Sequence, residues 1–597
     1  LPLIIASVLY TFRSEKWLLG ATFTSLFVAL QLYSNHYQIT YYTVIILFFI
    51  GIVQFVKELQ ERTLPNFFKK VGILVIAALL GGATNYTRLA TTMEYGPETQ
   101  RGKSELVSED GKEKKDGLSF DYITDYSYGI SETMTFLIPN FMGGGQSEKI
   151  NKDSDLFKTI KQENAPIYWG DKGAAAPTYV GSIIMFLFVL GILYIKSPYK
   201  HWILLSVILS LMLGWGKNLS FVSEFFINYV PYYNKFRAVT MVMIIAEFGI
   251  ALLAILALNK FLNNEDNQEK EKKLKLAFYI IGVITLLLAL IPSLFLNFIG
   301  PMDNYYKDMG WPVNLLQDYR VDILSADAWR SFIFIFLAAS TLWIFLKGSV
   351  KKHIVVIVLG VLILGDMWSV DKRYLNNSDF QEKQKFQLTQ ANQNIHKKNK
   401  KYRYRVMNLN NPYNESKTSY NNNSIGGYHA AKLLRYQELI DRQIRHFETK
   451  QFPSWNNRRR TQHFLQIKNK KVLRMLNCGW VIKSNRKEVG YKKDSLEWTQ
   501  LGLLSPLGDA WFVSEVNMVD SANEEMDALN SFNPEKTAIV DKRFSQNITD
   551  FTLNPDATIK LNQKEYQPNH LIYNLTNITS TQLVVFSEIY YEKGWNA

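Results

Sequence analysis

The chain has 597 residues, a formal net charge of +14 from 67 Lys and Arg against 53 Asp and Glu, and a single cysteine, Cys478. Apolar residues make up 47% and aromatics 14%, which excludes a disordered or collagen-like chain. One cysteine excludes a disulfide framework and a thiolate zinc cluster.

A helix crossing a hydrocarbon layer of about 30 Å needs roughly 20 mostly apolar residues. In chain order, apolar runs cover 1–10, 17–33, 39–56, 71–87, 178–194, 202–215, 239–258, 276–298, 332–345 and 354–368. So many in series predict a polytopic membrane bundle over 1–372. Lys and Arg crowd into alternate connections: Arg13 and Lys16, then Lys57 to Lys70, Lys196 and Lys200, Lys260 to Lys275, and Lys347 to Lys352. The short turn at 34–38 has none. Basic loops face the cytoplasm, so 94–177, 216–237, 300–330 and everything after 371 are expected outside. The positive charge is then largely topological, and no nucleic-acid partner is needed to explain it. The chain opens inside an apolar run and stops after a strand-like stretch, which reads as a fragment lacking both ends.

The outer segments carry the candidate chemistry. Residues 35–42 read Asn-His-Tyr-Gln-Ile-Thr-Tyr-Tyr, and Asn35, His36, Gln38 and Tyr42 are hydrogen-bonding groups at an outer turn. The loop 94–177 is too long for a simple connection. Its later part mixes aromatics, carboxylates and glycines, with Glu132, Asn140, the run Gly143 to Gly145, Trp169 and Asp171. That composition suits a sugar or a lipid head group, but also an interfacial aromatic belt with turn glycines. Arg237 enters a span from outside, where a guanidinium can meet a lipid-carrier phosphate or simply anchor the helix. Asp366 lies near the outer end of the last span as a candidate head-group contact. Glu247, inside 239–258, reads as a structural carboxylate.

From 373 to 597 the pattern becomes that of an outer globular domain. Alternation at 401–407, 510–516, 537–540, 570–577 and 582–590 predicts strands, and 428–447 places Leu433, Tyr436, Ile440, Ile444 and Phe447 on one helical stripe. The expectation is a mixed α/β domain, β-sandwich-like toward its end. Basic patches at 397–405 and 458–460 read as solvated surface or as a contact for an anionic envelope polymer.

No P-loop, dinucleotide fingerprint, nucleophile elbow or His-Glu-x-x-His is present. The turn 35–42, the loop 131–145, Tyr233-Asn-Lys-Phe-Arg237, the stretch 427–436 and Ser587-Glu-Ile-Tyr-Tyr591 together resemble the YfhO-like bacterial membrane proteins, of the type common in Bacteroidetes-like bacteria. That resemblance implies a GT-C-like helical bundle with extracytoplasmic loops and a C-terminal extracytoplasmic domain in the bacterial cytoplasmic membrane. It implies a glycosyltransferase that moves a sugar from a polyprenyl-phosphate donor to a cell-envelope glycan, with a divalent cation as an optional cofactor. Such enzymes place their main carboxylate in the first outer loop, a region this fragment is expected to lack. Glu132 and Asp171 are then the acceptor-side candidates, Arg237 the phosphate contact, and Asn35 and His36 site-lining groups. The rival readings are a transporter or flippase of lipid-linked sugars, which predicts broken helices and charged pairs near the midplane, and a non-enzymatic envelope assembly factor.

Overall fold

A computed structural model describes residues 1–107, 116–171, 176–380, 388, 390–398, 404–408, 413, 415–444, 470–485, 497–503, 505–562 and 565–596. The chain divides into two compact units, one of Leu1–Ala90 and Leu118–Phe380, the other of Thr91–Gly117 and Gln381–Ala597.

In the first unit the helices are α1 (Pro2–Arg13), α2 (Trp17–Tyr33), α3 (Tyr37–Gln60), α4 (Leu64–Ala83), α5 (Tyr86–Tyr95, which runs into the second unit), α6 (Phe120–Thr124), α7 (Asp155–Ile160) and α8 (Ser182–Tyr194). Then come α9 (Tyr199–Gly214), α10 (Ser220–Tyr229), α11 (Met243–Asn263), α12 (Asn267–Leu290), α13 (Asp303–Asp308), α14 (Val313–Leu346) and α15 (Lys352–Tyr374). Among the described residues six helices are long and apolar enough to cross a membrane, or seven if α9 and the following segment to Tyr229, bent by 112°, form one span. Three further apolar helices, α1, α2 and α8, are shorter.

The side-chain pattern is that of a bilayer protein. Helix α15 buries Val355, Leu359, Asp366 and Val370, while Ile357, Val361, Leu364 and Trp368 are exposed. An apolar outside with a carboxylate inside is the reverse of a water-facing helix, and so much exposed apolar surface requires lipid. The chain is a multi-pass membrane protein.

Several spans differ from their predicted limits, α12 and α14 the most. The reading began one at 332, yet α14 starts at Val313, because Arg320 and Asp327 are buried and paired rather than solvated. Its 34 residues make a rod of about 51 Å at 1.5 Å per residue. That exceeds a hydrocarbon core by roughly 20 Å, so its first turns belong to the loop layer. Helix α12 starts at Asn267, capped by the Asp266 side chain, and stops at Leu290 just ahead of Pro292, not at 298.

The predicted alternation of loops is carried into three dimensions. At one end Lys196 pairs with Glu269 at 2.8 Å, the Lys70 ammonium donates to the Phe12 carbonyl at 2.7 Å, and Arg13 lies over the Tyr199 ring at 3.8 Å. At the other end Gln38 donates to the Arg237 carbonyl at 2.9 Å and Tyr41 to the Pro231 carbonyl, also at 2.9 Å. The bundle thus has one basic end and one end built from the aromatic, carboxylate-bearing loops.

The first unit holds one short antiparallel pair, β1 (Glu148–Lys149) with β2 (Asn164–Ala165); in the second unit, β3 (Arg405–Asn408) lies parallel to β4 (Cys478–Asn485), which pairs antiparallel with β5 (Glu497–Leu503). Strand β6 (Ala510–Val513) pairs with β11 (Leu583–Phe586), β7 (Glu515–Val519) lies parallel to β8 (Thr537–Asp541), and β9 (Thr558–Leu561) pairs with β10 (Tyr573–Thr576). A core around Met407, Ile425, Ile440, Leu473 and the buried Cys478 supports the first sheet. The parallel pairs were not foreseen. The sandwich-like feature is confined to two-stranded pieces meeting where the Tyr573 ring packs on Phe586, 5.1 Å between centroids. The stripe predicted at 428–447 is an α-helix only over Leu434–Leu439, continued as a π-turn to Ile444. Residues 445–447, and the basic stretches at 399–403 and 458–460, lie outside the described residues.

Candidate functional site

The loop that follows Leu118 returns to the non-basic end of the first unit and is pinned there. The Leu118 amide donates to the Asn234 carbonyl and the Tyr128 amide to the Gly214 carbonyl, both at 2.9 Å. The Trp215 indole N–H reaches the Thr133 hydroxyl at 2.9 Å, and the Asn218 amide reaches the Tyr128 carbonyl at 3.0 Å. These bonds fasten a 3-10 turn, Ser131–Phe136, against the break between α9 and α10.

Glu132 sits on that turn and is buried, 5% exposed. One carboxylate oxygen accepts the Gly129 amide at 2.8 Å, and the other accepts the Tyr168 hydroxyl. Asp171 lies beside it; one Asp171 oxygen accepts from the Asn218 amide, and the Lys217 ammonium stands 3.9 Å from the other. Burial, with the neighbouring Asp171 charge adding to it, pushes the Glu132 carboxyl above its ordinary range, against the pull of Tyr168 and the Gly129 and Asp171 backbone. Burial and the Glu132 charge likewise push Tyr168 and Tyr128 far up, so both stay hydroxyl donors. Gly170 is required between them: a Cβ there would stand 2.3 Å from the Tyr168 hydroxyl oxygen and 2.8 Å from a Glu132 oxygen. The result is a shielded carboxylate of raised basicity next to a second, partly exposed acid. Such a pair suits proton transfer to or from a hydroxyl.

Arg237 stands near the start of the same loop. Its guanidinium lies 4.2 Å over the Tyr122 ring and 3.3 Å from an Asp125 oxygen, while its Nε is buried without a hydrogen-bond partner among the described residues. The side chain is 37% exposed, so part of the fork faces outward. Gln38 supports this residue through its backbone and also donates to the Tyr42 hydroxyl at 2.7 Å. Both groups therefore act from behind Arg237. Asn35 and His36 occupy an exposed turn, Asn35 in the left-handed region at φ 61°, and neither side chain is hydrogen-bonded among the described residues.

The remaining candidates belong to the frame. Asp366 is 1% exposed; its oxygens accept from Arg330 at 2.7 Å, from the Tyr179 hydroxyl at 2.6 Å, and from the Ser182 amide and hydroxyl at 2.9 Å each. No lone pair is left for a head group. The Asn140 backbone N–H donates to Asp327, which Arg373 grips with two bonds of 2.7 Å. Trp169 is buried against Phe298, 5.1 Å between ring centroids, and its amide donates to the Met142 carbonyl. Gly143 has φ +84°, and a Cβ on it would stand 2.6 Å from the Ile167 carbonyl oxygen. Gly143 therefore serves backbone-to-backbone packing, while a Cβ on Gly144, at φ +76°, would meet the Glu148, Tyr374 and Asn140 side chains.

Sequence reasoning missed the groups that hold this frame. Arg320 is fully buried and donates to both Asp303 oxygens and to the Phe298 carbonyl at 2.8 Å, and to the Ile167 carbonyl at 2.9 Å. With Arg330–Asp366 and Arg373–Asp327 it forms a third arginine–carboxylate clamp. The only available signal was an excess of Arg and Asp in a stretch too regular for a loop.

A divalent cation fits the pair poorly, since both Glu132 oxygens already accept hydrogen bonds and no three His, Cys, Asp or Glu converge among the described residues. Comparison with family models, curated proteins and solved structures found no match to this chain.

Proposed function

We propose that this chain is a membrane glycosyltransferase that moves a sugar from a polyprenyl-phosphate-linked donor to a cell-envelope acceptor, on the face away from the cytoplasm of a bacterial inner membrane. The observation that carries the reading is the buried Glu132 beside Asp171, at the end of a multi-pass bundle opposite its basic loops. Positive loops stay with the cytoplasm, so the acids face outward together with the second unit.

In this reading Glu132 takes the proton of an acceptor hydroxyl as its oxygen attacks the anomeric carbon of the donor. The bond from that carbon to the phosphate oxygen breaks, and polyprenyl phosphate leaves with the electron pair. Arg237 meets the negative charge that develops on the phosphate, where a preorganised donor acts most strongly. Asp171 keeps the basicity of Glu132 high, and Tyr168 with the Gly129 amide holds the carboxylate in place. No metal step is required.

The rival reading as a transporter of lipid-linked sugars has one observation in its favour, the 112° break between α9 and α10. Membranes carrying the protein, given a radiolabelled polyprenyl-phosphate sugar, distinguish the two. Label is expected to move covalently into an envelope acceptor. Label that crosses the bilayer still attached to its lipid would overturn the transferase reading.

A further inference from the structure

Helix α10, with the turn ahead of it, leaves α9 at 112°, about 22° past a right angle. Both of its ends are fastened to the non-basic end of the bundle. At its start the Ser223 hydroxyl donates to the Gly216 carbonyl at 2.9 Å, in the turn that follows α9. Beyond its end Tyr41, in the first turns of α3, donates to the Pro231 carbonyl, and Phe226 packs on the buried Tyr233, 5.3 Å between ring centroids. The chain re-enters the bundle beside the point where it left, since the Ser210 hydroxyl of α9 donates to the Val242 carbonyl at 2.7 Å, just ahead of α11. Helix α10 therefore runs from the end of one span to the start of another, across the end of the bundle and not along it.

Its ten residues form three rows. Val222 and Ser223 are buried and Phe226 half-buried, which makes the row that packs on the bundle. Ser220, Glu224 and Asn228, four residues apart, are exposed and polar. Phe221, Phe225 and Tyr229, also four apart, are 67%, 55% and 76% exposed, and the last two rings stack 5.5 Å apart. A helix on a water-facing surface has one outward face, and it is polar. A second outward row of three large aromatics beside a polar one is the pattern of a helix lying in a membrane interface, where Phe and Tyr rings sit at head-group level. The neighbouring spans also carry exposed apolar side chains, Ile208 on α9, and Met241 and Ile244 at the entry to α11. The aromatic row thus extends an exterior that already requires lipid.

We propose that α10 is an in-plane membrane anchor, its aromatic row set in the boundary between head groups and acyl chains of the leaflet at the non-basic end, its polar row in water. Phe221 to Tyr229 covers about 12 Å of helix, so with α9 upright the row changes depth by only about 5 Å. The break after α9 is then a corner at the bilayer surface, and not the interrupted span that a transporter would use. The Glu132 turn, bonded to that corner through Trp215 and Thr133, is held at head-group depth. The anchor does not rest on the transferase reading.

The test is nitroxide spin labelling of the full chain in liposomes of phosphatidylethanolamine and phosphatidylglycerol, with single cysteines placed in a Cys478→Ser background. Labels at Phe221→Cys, Phe225→Cys and Tyr229→Cys should be more accessible to oxygen than to a water-soluble nickel chelate, at depths that agree within about 5 Å. Labels at Glu224→Cys and Asn228→Cys should show the reverse preference. Ile357→Cys, on the exposed face of α15, supplies the deep reference. Depths that step by about 6 Å from 221 to 225 and again to 229 would make α10 part of a span. An aromatic row open to the nickel chelate would make it a water-facing helix, and a row closed to both reagents would mean that protein, such as a second copy of the chain, covers it. Each of these three results would overturn the proposal.

Discussion

Replacing Asp303 by Ala tests the frame on which the acidic site depends. Arg320 would keep its bonds to the Phe298 and Ile167 carbonyls but lose both bonds to Asp303. Each charge-assisted bond contributes about 1.5–3 kcal/mol, and stranding one member of a buried ion pair costs about 3–5 kcal/mol. Since Arg320 is fully buried and the Asp303 side chain 7% exposed, little solvent screening lowers that cost. Arg320→Met removes the charge instead, leaving Asp303 with its bonds from the Gly300 amide and Gln317. The double variant should therefore be less destabilised than the two single losses added together, with a coupling of about 2–4 kcal/mol. Denaturant unfolding in a fixed detergent, followed by tryptophan fluorescence, measures all four corners of the cycle. The segment that Arg320 holds through Ile167 continues to Tyr168 and Asp171, so Asp303→Ala should also lose transfer activity. A loss under about 1 kcal/mol for Asp303→Ala, or strict additivity in the double variant, would refute the clamp.

Glu132→Gln preserves an acceptor for Tyr168 or the Gly129 amide and should fold normally, yet lose transfer by at least about a hundredfold; normal turnover would remove Glu132 from the chemistry. Because burial and Asp171 raise the Glu132 carboxyl, the acid limb of the rate profile should lie above the ordinary carboxylate range. Asp171→Asn should move that limb to lower pH and Tyr168→Phe to higher pH, the second by removing a bond to the ionised form. Asp303 behaves oppositely. Burial alone would raise its carboxyl, but Arg320 and the Gly300 amide outweigh it and hold the group low. Its stabilisation is therefore present above the unfolded carboxyl's pKa and lost as pH falls through the lower native one, so the stability gap between wild type and Asp303→Ala should narrow in acid. Gly143→Ala forces a left-handed residue against the Ile167 carbonyl and should lower thermal stability.

The helical half was legible because lipid-facing helices write their period in apolar residues. Ile357, Val361, Leu364 and Trp368 announce α15 without help. Hydropathy failed where polar residues are buried in pairs. Arg320 and Asp327 look like loop, and only their partners at Asp303 and Arg373 show that they sit inside a long helix. Asp366 was misplaced for the same reason. A head-group contact was inferred from its position near a span end, while the partner that engages it, Arg330, lies 36 residues away. Glu132 and Asp171 were chosen by residue type in an aromatic, glycine-bearing loop. Their adjacency comes from Tyr168 and Gly170 packing under the turn, which no local pattern encodes. In the second unit alternation announced β3, β8, β10 and β11 and a single strand where β6 and β7 lie in separate pairs, but not β4, β5 or β9, and parallel pairing of β3 with β4 and β7 with β8 is a matter of crossover topology, invisible at the level of single strands.

Sidedness decides the functional reading, because the acids must face away from the cytoplasm while the basic loops remain in it. In a Cys478→Ser background, Asp121→Cys on α6, next to the Tyr122 that Arg237 covers, and Lys351→Cys in a basic loop place one exposed thiol at each end of the bundle. With a membrane-impermeant maleimide on intact cells, position 121 should label at once and position 351 only after permeabilisation. Labelling of 351 but not 121 in intact cells would contradict the proposed active face.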